Sequence, residues 1–275
     1  MQQKHIYHFI AMTTPCEVIL YSDQKIKADN AAQDILKEVK RLEKKYNYYD
    51  DTSFLSQINL RATNVLDNET KTLLSRAKKY YTMTSGIFDI TIATIKDLYK
   101  SHTNIDILEK EKEKLLPYVG SEHFEIKRNK ILFDNPFTKL DLGGFVKEYA
   151  VDQSIKIVKK HKIRSAMINY GGDLYALGKK PDGQKFCVGI KDPQDNTKHS
   201  QYVDLEDQAL TTSASYERNY QIEDDLFSHI MSKSLPSSSV KSVTVISHNC
   251  VESGVFSTAL MIDPSLVHHH QSIIL

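Results

Sequence analysis

Apolar and polar positions alternate with two different periods along this chain. Apolar side chains spaced three and four residues apart predict a helix over residues 30–46, with Asp29 or Asn30 as its N-cap. The same spacing predicts a second helix over residues 70–84, and Gly86 follows it as a stop signal. Both predicted helices are amphipathic and therefore need a core to pack against.

Short runs rich in β-branched residues predict strands at residues 17–21, 188–190 and 243–246. These strands and helices alternate without the regular βαβ rhythm of a doubly wound sheet, which favours an α+β fold over α/β. No Pro-rich or Gly-rich linker and no repeat interrupts the chain. We therefore expect a single domain over residues 1–275, possessing two lobes.

Composition excludes several classes of protein. The 36 Lys and Arg residues nearly balance the 35 Asp and Glu residues, for a net charge of +1, which argues against nucleic acid as a partner. No apolar run is long enough for a membrane span. The first twenty residues are too broken by polar residues for a secretory signal, which predicts a cytoplasmic protein, or a periplasmic one if a leader was removed.

The cysteines carry no evident chemistry. Cys16, Cys187 and Cys250 are odd in number, far apart and free of CxxC spacing, so the sequence predicts neither a disulfide framework nor a zinc site. We expect three buried thiols.

The segment over residues 139–152 carries the most specific pattern. A short apolar strand is predicted to end at Asp141, and Gly143 and Gly144 then lead into a helix that carries Lys147 in its first turn. A helix N-terminus with free backbone N–H groups suits a phosphate, and Lys147 would add charge. The alternative is an ordinary tight turn between strand and helix.

Three further segments each have a structural alternative. Gly171 and Gly172, within residues 168–178, are typical of a hairpin or bulge. Phe88 and Asp89 follow Gly86 and could sandwich and hydrogen-bond a planar heterocycle, although Phe88 is equally suited to a core. His229 lies between apolar neighbours in a predicted strand, where a histidine is more often structural than catalytic.

Taken in order, these segments resemble the FAD:protein FMN transferase (flavin transferase, ApbE-type) family. The matching segments cover about residues 10–262, and in this chain they read MTT, YDDTSFLSQIN, GIFDITI, LDLGGFVKEYAVD, NYGGD, TSASYER, SHIMSK and SGVFSTAL. The resemblance implies an α+β, T-fold-like domain in which two subdomains enclose an FAD cleft. It also implies a set of FAD-binding residues: Met12, Tyr49, Ile87, Phe88, Asp89, Asp141, Lys147 and Met231.

The resemblance further implies a reaction and its machinery. FMN would pass from FAD to a Ser or Thr hydroxyl of a target protein, with release of AMP. His229 would be the catalytic base, and an imidazole with an ordinary pKa near ~6.5 is suited to that role at neutral pH. Mg²⁺ would be held by the carbonyl of Gly144 and the hydroxyl of Thr258, together with a carboxylate.

That carboxylate is where the sequence departs from the family. The family's aspartate falls on Gly254, and the family's glycine after the lysine falls on Glu148. Glu252 is a poor substitute, because six residues turn it away from Thr258 around the helix. Gly254→Asp is therefore expected to tighten Mg²⁺ binding. The alternative function is a degenerate FAD-binding homologue without transferase activity, or a slow FAD pyrophosphatase.

Overall fold

A seven-stranded antiparallel sheet forms the centre of the protein. The computed structural model describes residues 2–195, 197–216, 219–233 and 239–275. The sheet has the strand order β1, β2, β5, β6, β9, β12, β13. Its strands are β1 (Gln3–Ala11), β2 (Thr14–Ser22), β5 (Ser165–Tyr170), β6 (Asp173–Leu177), β9 (Gln208–Ala214), β12 (Ser242–Ser247) and β13 (Gln271–Ile274).

Three two-stranded ribbons accompany the sheet. They pair β3 (Phe124–Lys127) with β4 (Lys130–Phe133), β7 (Phe186–Lys191) with β8 (His199–Leu205), and β10 (Asn219–Ile222) with β11 (Asp225–Ser228). The helices are α1 (Lys25–Tyr46), α2 (Phe54–Asn59), α3 (Asn68–Met83), α4 (Ala93–Lys96), α5 (Leu98–Ser101), α6 (Ile105–Leu115), α7 (Gly143–Lys160) and α8 (Cys250–Ile262). None of the helices in these described ranges has the length and apolar character of a membrane span.

Each face of the sheet buries a different set of side chains. Helices α1, α7 and α8 pack on one face, and the β7–β8 ribbon packs on the other. Strand β6 shows the alternation, because Tyr175 belongs to the core cluster under the helices while Leu174 and Ala176 belong to the cluster under the ribbon. The prediction of an α+β fold is confirmed. The division into two lobes stays a prediction.

Helix α7 caps helix α8. The Asp152 carboxylate of α7 accepts hydrogen bonds from the backbone N–H groups of Cys250 (2.7 Å) and Val251 (3.3 Å), in the first turn of α8. A carboxylate at this position satisfies otherwise unpaired amides and faces the positive end of the helix dipole. Burial raises the pKa of Asp152, and these two amides oppose that rise. The contact fixes where α8 begins relative to α7.

Several predicted boundaries need correction. Helix α1 begins at Lys25, and its N-cap is Gln24 with no side-chain capping bond. The predicted capping residue Asp29 lies inside the helix and accepts from Tyr7 (2.8 Å) and Lys25 (2.7 Å) instead. The helix over residues 68–83 agrees with the prediction, although Asp67 supplies its cap.

Two other expectations are wrong. Residues 139–142 form no strand, so the chain reaches α7 through an irregular segment. Cys187 is exposed, whereas Cys16 and Cys250 are buried as expected, and all three cysteines are free.

Two tight hairpin turns lie side by side at one end of the sheet. Met12 and Thr13 join β1 to β2 with φ of 51° and 58°, and Gly171 and Gly172 join β5 to β6 with φ of 63° and 96°. A Cβ at Gly171 would lie 2.2 Å from Cγ2 of Thr14. The hairpin alternative for the Gly171–Gly172 pair is therefore correct, and the first turn also has two positive φ angles, without glycine.

Thr13→Gly should stabilise the protein. A left-handed backbone costs a non-glycine residue about 1–2 kcal/mol, and the extra chain entropy of glycine offsets about 0.5–1 kcal/mol of the gain. We expect a rise of roughly 0.5–1 kcal/mol in the free energy of unfolding, measured by urea denaturation. Gly172→Ala is the reverse control, because a Cβ there meets no atom within 4 Å and only the backbone strain of φ +96° is added. A lower unfolding midpoint for Thr13→Gly would contradict this account of the turn.

Candidate active site

Asp141 anchors the approach to α7. Its backbone N–H donates to the carbonyl of Ile90 (2.9 Å), and its Oδ1 accepts from the backbone N–H of Gly143 (2.8 Å). Its Oδ2 forms an ion pair with Lys96 at the end of α4, and the Asp141 side chain is only 10% exposed. Burial alone would lower the pKa of Lys96, but the Asp141 carboxylate outweighs it and raises that pKa. The two groups therefore form a shielded ion pair at the start of α7.

An aromatic side chain covers this ion pair from the solvent side. Tyr49 is 61% exposed, and the ammonium groups of Lys96 and Lys100 lie 5.6 and 3.7 Å from its ring centroid. Burial raises the pKa of Tyr220, and the nearby ammonium of Lys96 opposes that rise. The surface here combines an exposed aromatic ring with the cation Lys100, which suits a planar ring that carries phosphate.

Lys147 links α7 to the sheet. Its Nζ lies 2.6 Å from Oδ2 of Asp173, the first residue of β6, whose side chain is 3% exposed. The Lys147 side chain is 24% exposed and so stays accessible from one side. The sequence predicts a phosphate as the ligand of Lys147, whereas the structure shows the carboxylate of Asp173 as its neighbour.

Three amides at the start of α7 are already engaged. Gly143 donates to Asp141, and the N–H groups of Phe145 and Val146 both donate to the carbonyl of Leu142. These three bonds leave fewer free amides for a phosphate than an uncapped helix terminus would present.

The segment after Gly86 is mostly core. Phe88 is 6% exposed, and its ring centroid lies 6.1 Å from that of Phe145. Ile87 packs with Ala259 of α8. Asp89 caps the 3₁₀ turn Ile90–Ile92, accepting from the N–H and hydroxyl of Thr91 at 2.8 and 2.7 Å. Burial raises the pKa of Asp89, and these hydrogen bonds oppose the rise. Ile87 and Phe88 are therefore core residues that fix the position of Asp89, the acidic side chain of this segment, which could bind a ligand.

The remaining predicted residues lie on three separate segments. The backbone N–H of Met12, in the first hairpin turn, donates to Glu43 of α1. Met231 packs against Tyr99 and its neighbours. His229 directly follows β11 instead of lying within a strand, and its neighbour Ile230 packs with the cluster of Ile87 and Ala259. Of the TSASYER segment, Glu217 and Arg218 lie outside the described residues.

Thr258 and Gly144 occupy facing helices. The Thr258 hydroxyl lies 3.2 Å from the hydroxyl of Ser213 in β9. Gly144 has φ −89° and ψ 21°, a non-helical conformation inside the first turn of α7. Within the part of the chain that the structure describes, no three His, Cys, Asp or Glu side chains form a group that could hold a metal ion. A cation here would therefore also need hydroxyl and main-chain oxygens, which are ligands that Mg²⁺ accepts.

A buried carboxyl group was missed by the sequence reasoning. Glu148 is 5% exposed and lies next to Asp173. Burial, and after it the Asp173 carboxylate, raise the pKa of Glu148 well above its ordinary value. A charged residue directly after Lys147, on the buried side of an amphipathic helix, was the available signal. Lys96, the ion-pair partner of Asp141, was also not identified from the sequence. The available signal was its position as a single cation at the end of an apolar run.

The antiparallel sheet, covered by helices on one face, defines an α+β protein. Its buried charged groups lie where α7, α8 and β6 meet. The ApbE family pattern matches residues 12–266, and the chain belongs to this family. Its sequence is 26% identical over 239 residues to an FAD:protein FMN transferase of Chlamydia pneumoniae, covering 82% of this chain and 74% of that protein. For the FAD:protein FMN transferase of Vibrio cholerae the values are 25%, 78% and 67%.

Solved structures agree on the fold. The crystal structure of the ApbE protein of Thermotoga maritima superimposes with a TM-score of 0.85 at 28% identity, covering 94% of this chain and 87% of that one. The flavin transferase ApbE of Vibrio cholerae gives a TM-score of 0.83 at 21% identity, with 95% and 87% covered.

Lys96→Met should destabilise the protein by about 2 kcal/mol, because the shielded charge of Asp141 loses its partner. Urea denaturation at pH 7 measures the change. Lys139→Met is the matched control: its ammonium lies 3.0 Å from Asp97, but the two side chains are 47% and 41% exposed. Such an exposed pair contributes at most about 1 kcal/mol. Equal losses for the two variants would contradict the shielded ion pair.

Proposed function

We propose that this protein is an FAD:protein FMN transferase, which moves FMN from FAD to a Ser or Thr hydroxyl of a target protein. The observation that carries the proposal is the family match over residues 12–266, which includes the segments that converge where α7, α8 and β6 meet. The site also holds the chemical groups that the reaction needs: an exposed ring, cations, and buried carboxyl groups.

The FAD site follows from the polar and aromatic groups at the start of α7. Tyr49 offers an exposed ring and Lys100 offers positive charge to the diphosphate, while Lys96 is paired with Asp141. Asp89 and Asp141 are hydrogen-bond acceptors for ribose or base groups. Met12, Ile87, Phe88, Lys147 and Met231 complete the proposed FAD-binding set.

The reaction is a phosphoryl-type transfer in which positioning and charge neutralisation dominate. The target hydroxyl oxygen forms a bond to the FMN phosphorus of FAD. The bond from that phosphorus to the bridging oxygen breaks, and AMP leaves with the electron pair. His229 takes the hydroxyl proton as the general base. The product is a phosphoester between FMN and the target protein.

The oxygen ligands for Mg²⁺ fit the residues present. The carbonyl of Gly144 and the hydroxyl of Thr258 are the proposed ligands, and a bound Mg²⁺ supplies positive charge that offsets the charge of the diphosphate. The expected location, cytoplasmic or periplasmic after removal of a leader, stays a prediction.

Transfer can be observed directly. The purified protein is incubated with FAD, Mg²⁺ and a target domain that carries the flavinylation threonine. We expect flavin fluorescence on the target band to survive denaturing electrophoresis, because the phosphoester is covalent. FAD binding without any fluorescent target band under Mg²⁺ or Mn²⁺ would instead support the degenerate homologue. Release of FMN and AMP from FAD would support the pyrophosphatase.

His229→Ala should lower the transfer rate by about 10²–10⁴-fold, because a positioned base contributes that much to proton transfer. FAD affinity, measured by flavin fluorescence, should change little. His269→Ala is the control, since this histidine is exposed near the C-terminus. An unchanged rate in the His229 variant would remove this residue from the mechanism.

Tyr49→Ala should weaken FAD binding by roughly 5–150-fold, because stacking of a base on an aromatic side chain is worth about 1–3 kcal/mol. Tyr202→Ala serves as the matched control. Tyr202 is equally exposed, at 66%, but lies on the β7–β8 ribbon on the opposite face of the sheet. Equal FAD affinities for the two variants would show that Tyr49 does not contact the flavin dinucleotide.

A further inference from the structure

Glu148 is a buried acid in contact with a second carboxyl group. Its side chain lies at the contact of α7 with α8, and the residue is 5% exposed. Among the described residues, no hydrogen-bond donor group of another type lies within reach of its Oε2, and the Asp173 carboxyl group lies within hydrogen-bond reach of its side chain. Two buried carboxyl groups in contact cannot both be ionised without a compensating positive charge, so they either share a proton or face a cation.

The absence of a side chain at Gly254 makes room for this carboxyl group. A Cβ built on Gly254 would lie 2.6 Å from Cγ of Glu148 and 3.0 Å from its Oε1. Any side chain at residue 254 would therefore have to displace Glu148. The carboxyl group of Glu148 occupies the space in which a side chain at residue 254 would begin.

The register of the two helices places this carboxyl group one helical turn from the proposed metal ligands. Asp152 of α7 contacts the start of α8 at Cys250, and Glu148, one turn earlier in α7, meets Gly254, one turn later in α8. One further turn along each helix leads to Gly144 and Thr258. In this register we expect Gly144 of α7 and Thr258 of α8 to face each other, one turn beyond the contact of Glu148 with Gly254.

We propose that Glu148 supplies the carboxylate ligand of the divalent cation, reaching the site from α7 because Gly254 leaves α8 without one. The inference rests on the proposed function, in which Gly144 and Thr258 are the other protein ligands. Glu148 and Gly254 act as a coupled pair, because the Glu148 side chain can occupy this position only when residue 254 has no side chain.

This pairing reverses the expectation for Gly254→Asp. On sequence grounds that substitution was expected to tighten Mg²⁺ binding. With Glu148 in place, a new side chain at residue 254 collides with it and adds a third carboxyl group beside Asp173. The single substitution should therefore lower the melting temperature and fail to tighten cation binding.

Titration of the full chain with Mn²⁺, followed by electron paramagnetic resonance of the free ion with and without FAD, tests the proposal. Glu148→Gln should weaken Mn²⁺ binding by roughly tenfold or more, because an anionic ligand becomes neutral. The double variant Glu148→Gly with Gly254→Asp should regain most of the affinity that Glu148→Gly alone loses, since it returns one carboxylate to the same helix contact. Glu252→Gln, on the same helix as Gly254, should bind as the wild type does.

Wild-type affinity in the Glu148→Gln variant would overturn the proposal. So would a folded double variant, checked by circular dichroism, that binds no better than Glu148→Gly. A wild-type chain that binds Mn²⁺ neither alone nor with FAD would overturn it as well. FAD affinity measured without metal tests the proposed function separately. If FAD binds but Glu148→Gln leaves the Mn²⁺ affinity unchanged, the ligand assignment fails while the proposed function stands.

Discussion

The contact between Asp152 and the first turn of α8 determines the geometry of the site. This carboxylate satisfies the amides of Cys250 and Val251, and it thereby sets the register in which α7 and α8 cross. Glu148 and Gly254 meet one turn away because of that register. Lys147, on the neighbouring position of α7, is directed to Asp173 at the start of β6. The Asp152 interaction and the Lys147–Asp173 ion pair together position the two helices against the first residue of β6, the middle strand of the sheet.

The fold class and the strongly periodic elements followed from the sequence alone. Helix α3 and strands β2, β7 and β12 lie close to the predicted positions, because their apolar residues recur with the period of the element that buries them. The start of α1 was wrong because Asp29, a good capping residue, pairs with Tyr7 of β1 across the structure. Local propensity cannot reveal such a long-range partner.

The candidate site was predictable as a set of segments but not as a set of contacts. Its motifs singled out Asp141 and Lys147 but not the residues that contact them. Their partners Lys96 and Asp173 lie 45 and 26 positions away and come from α4 and β6. The relation between Glu148 and Gly254 is also a long-range contact. In the sequence each residue is an isolated departure from the family pattern, and only the contact of α7 with α8 shows that the Glu148 side chain occupies the space left free at Gly254.

The uneven exposure of the cysteines has a practical consequence. Burial raises the pKa of Cys16 to about 11 and that of Cys250 well above its ordinary range, so both thiols remain protonated and shielded. Cys187 is exposed on β7, across the sheet from the helices. A maleimide fluorophore should therefore attach at a single natural position without mutagenesis, giving an optical reporter whose attachment point leaves the α7–α8 contact undisturbed.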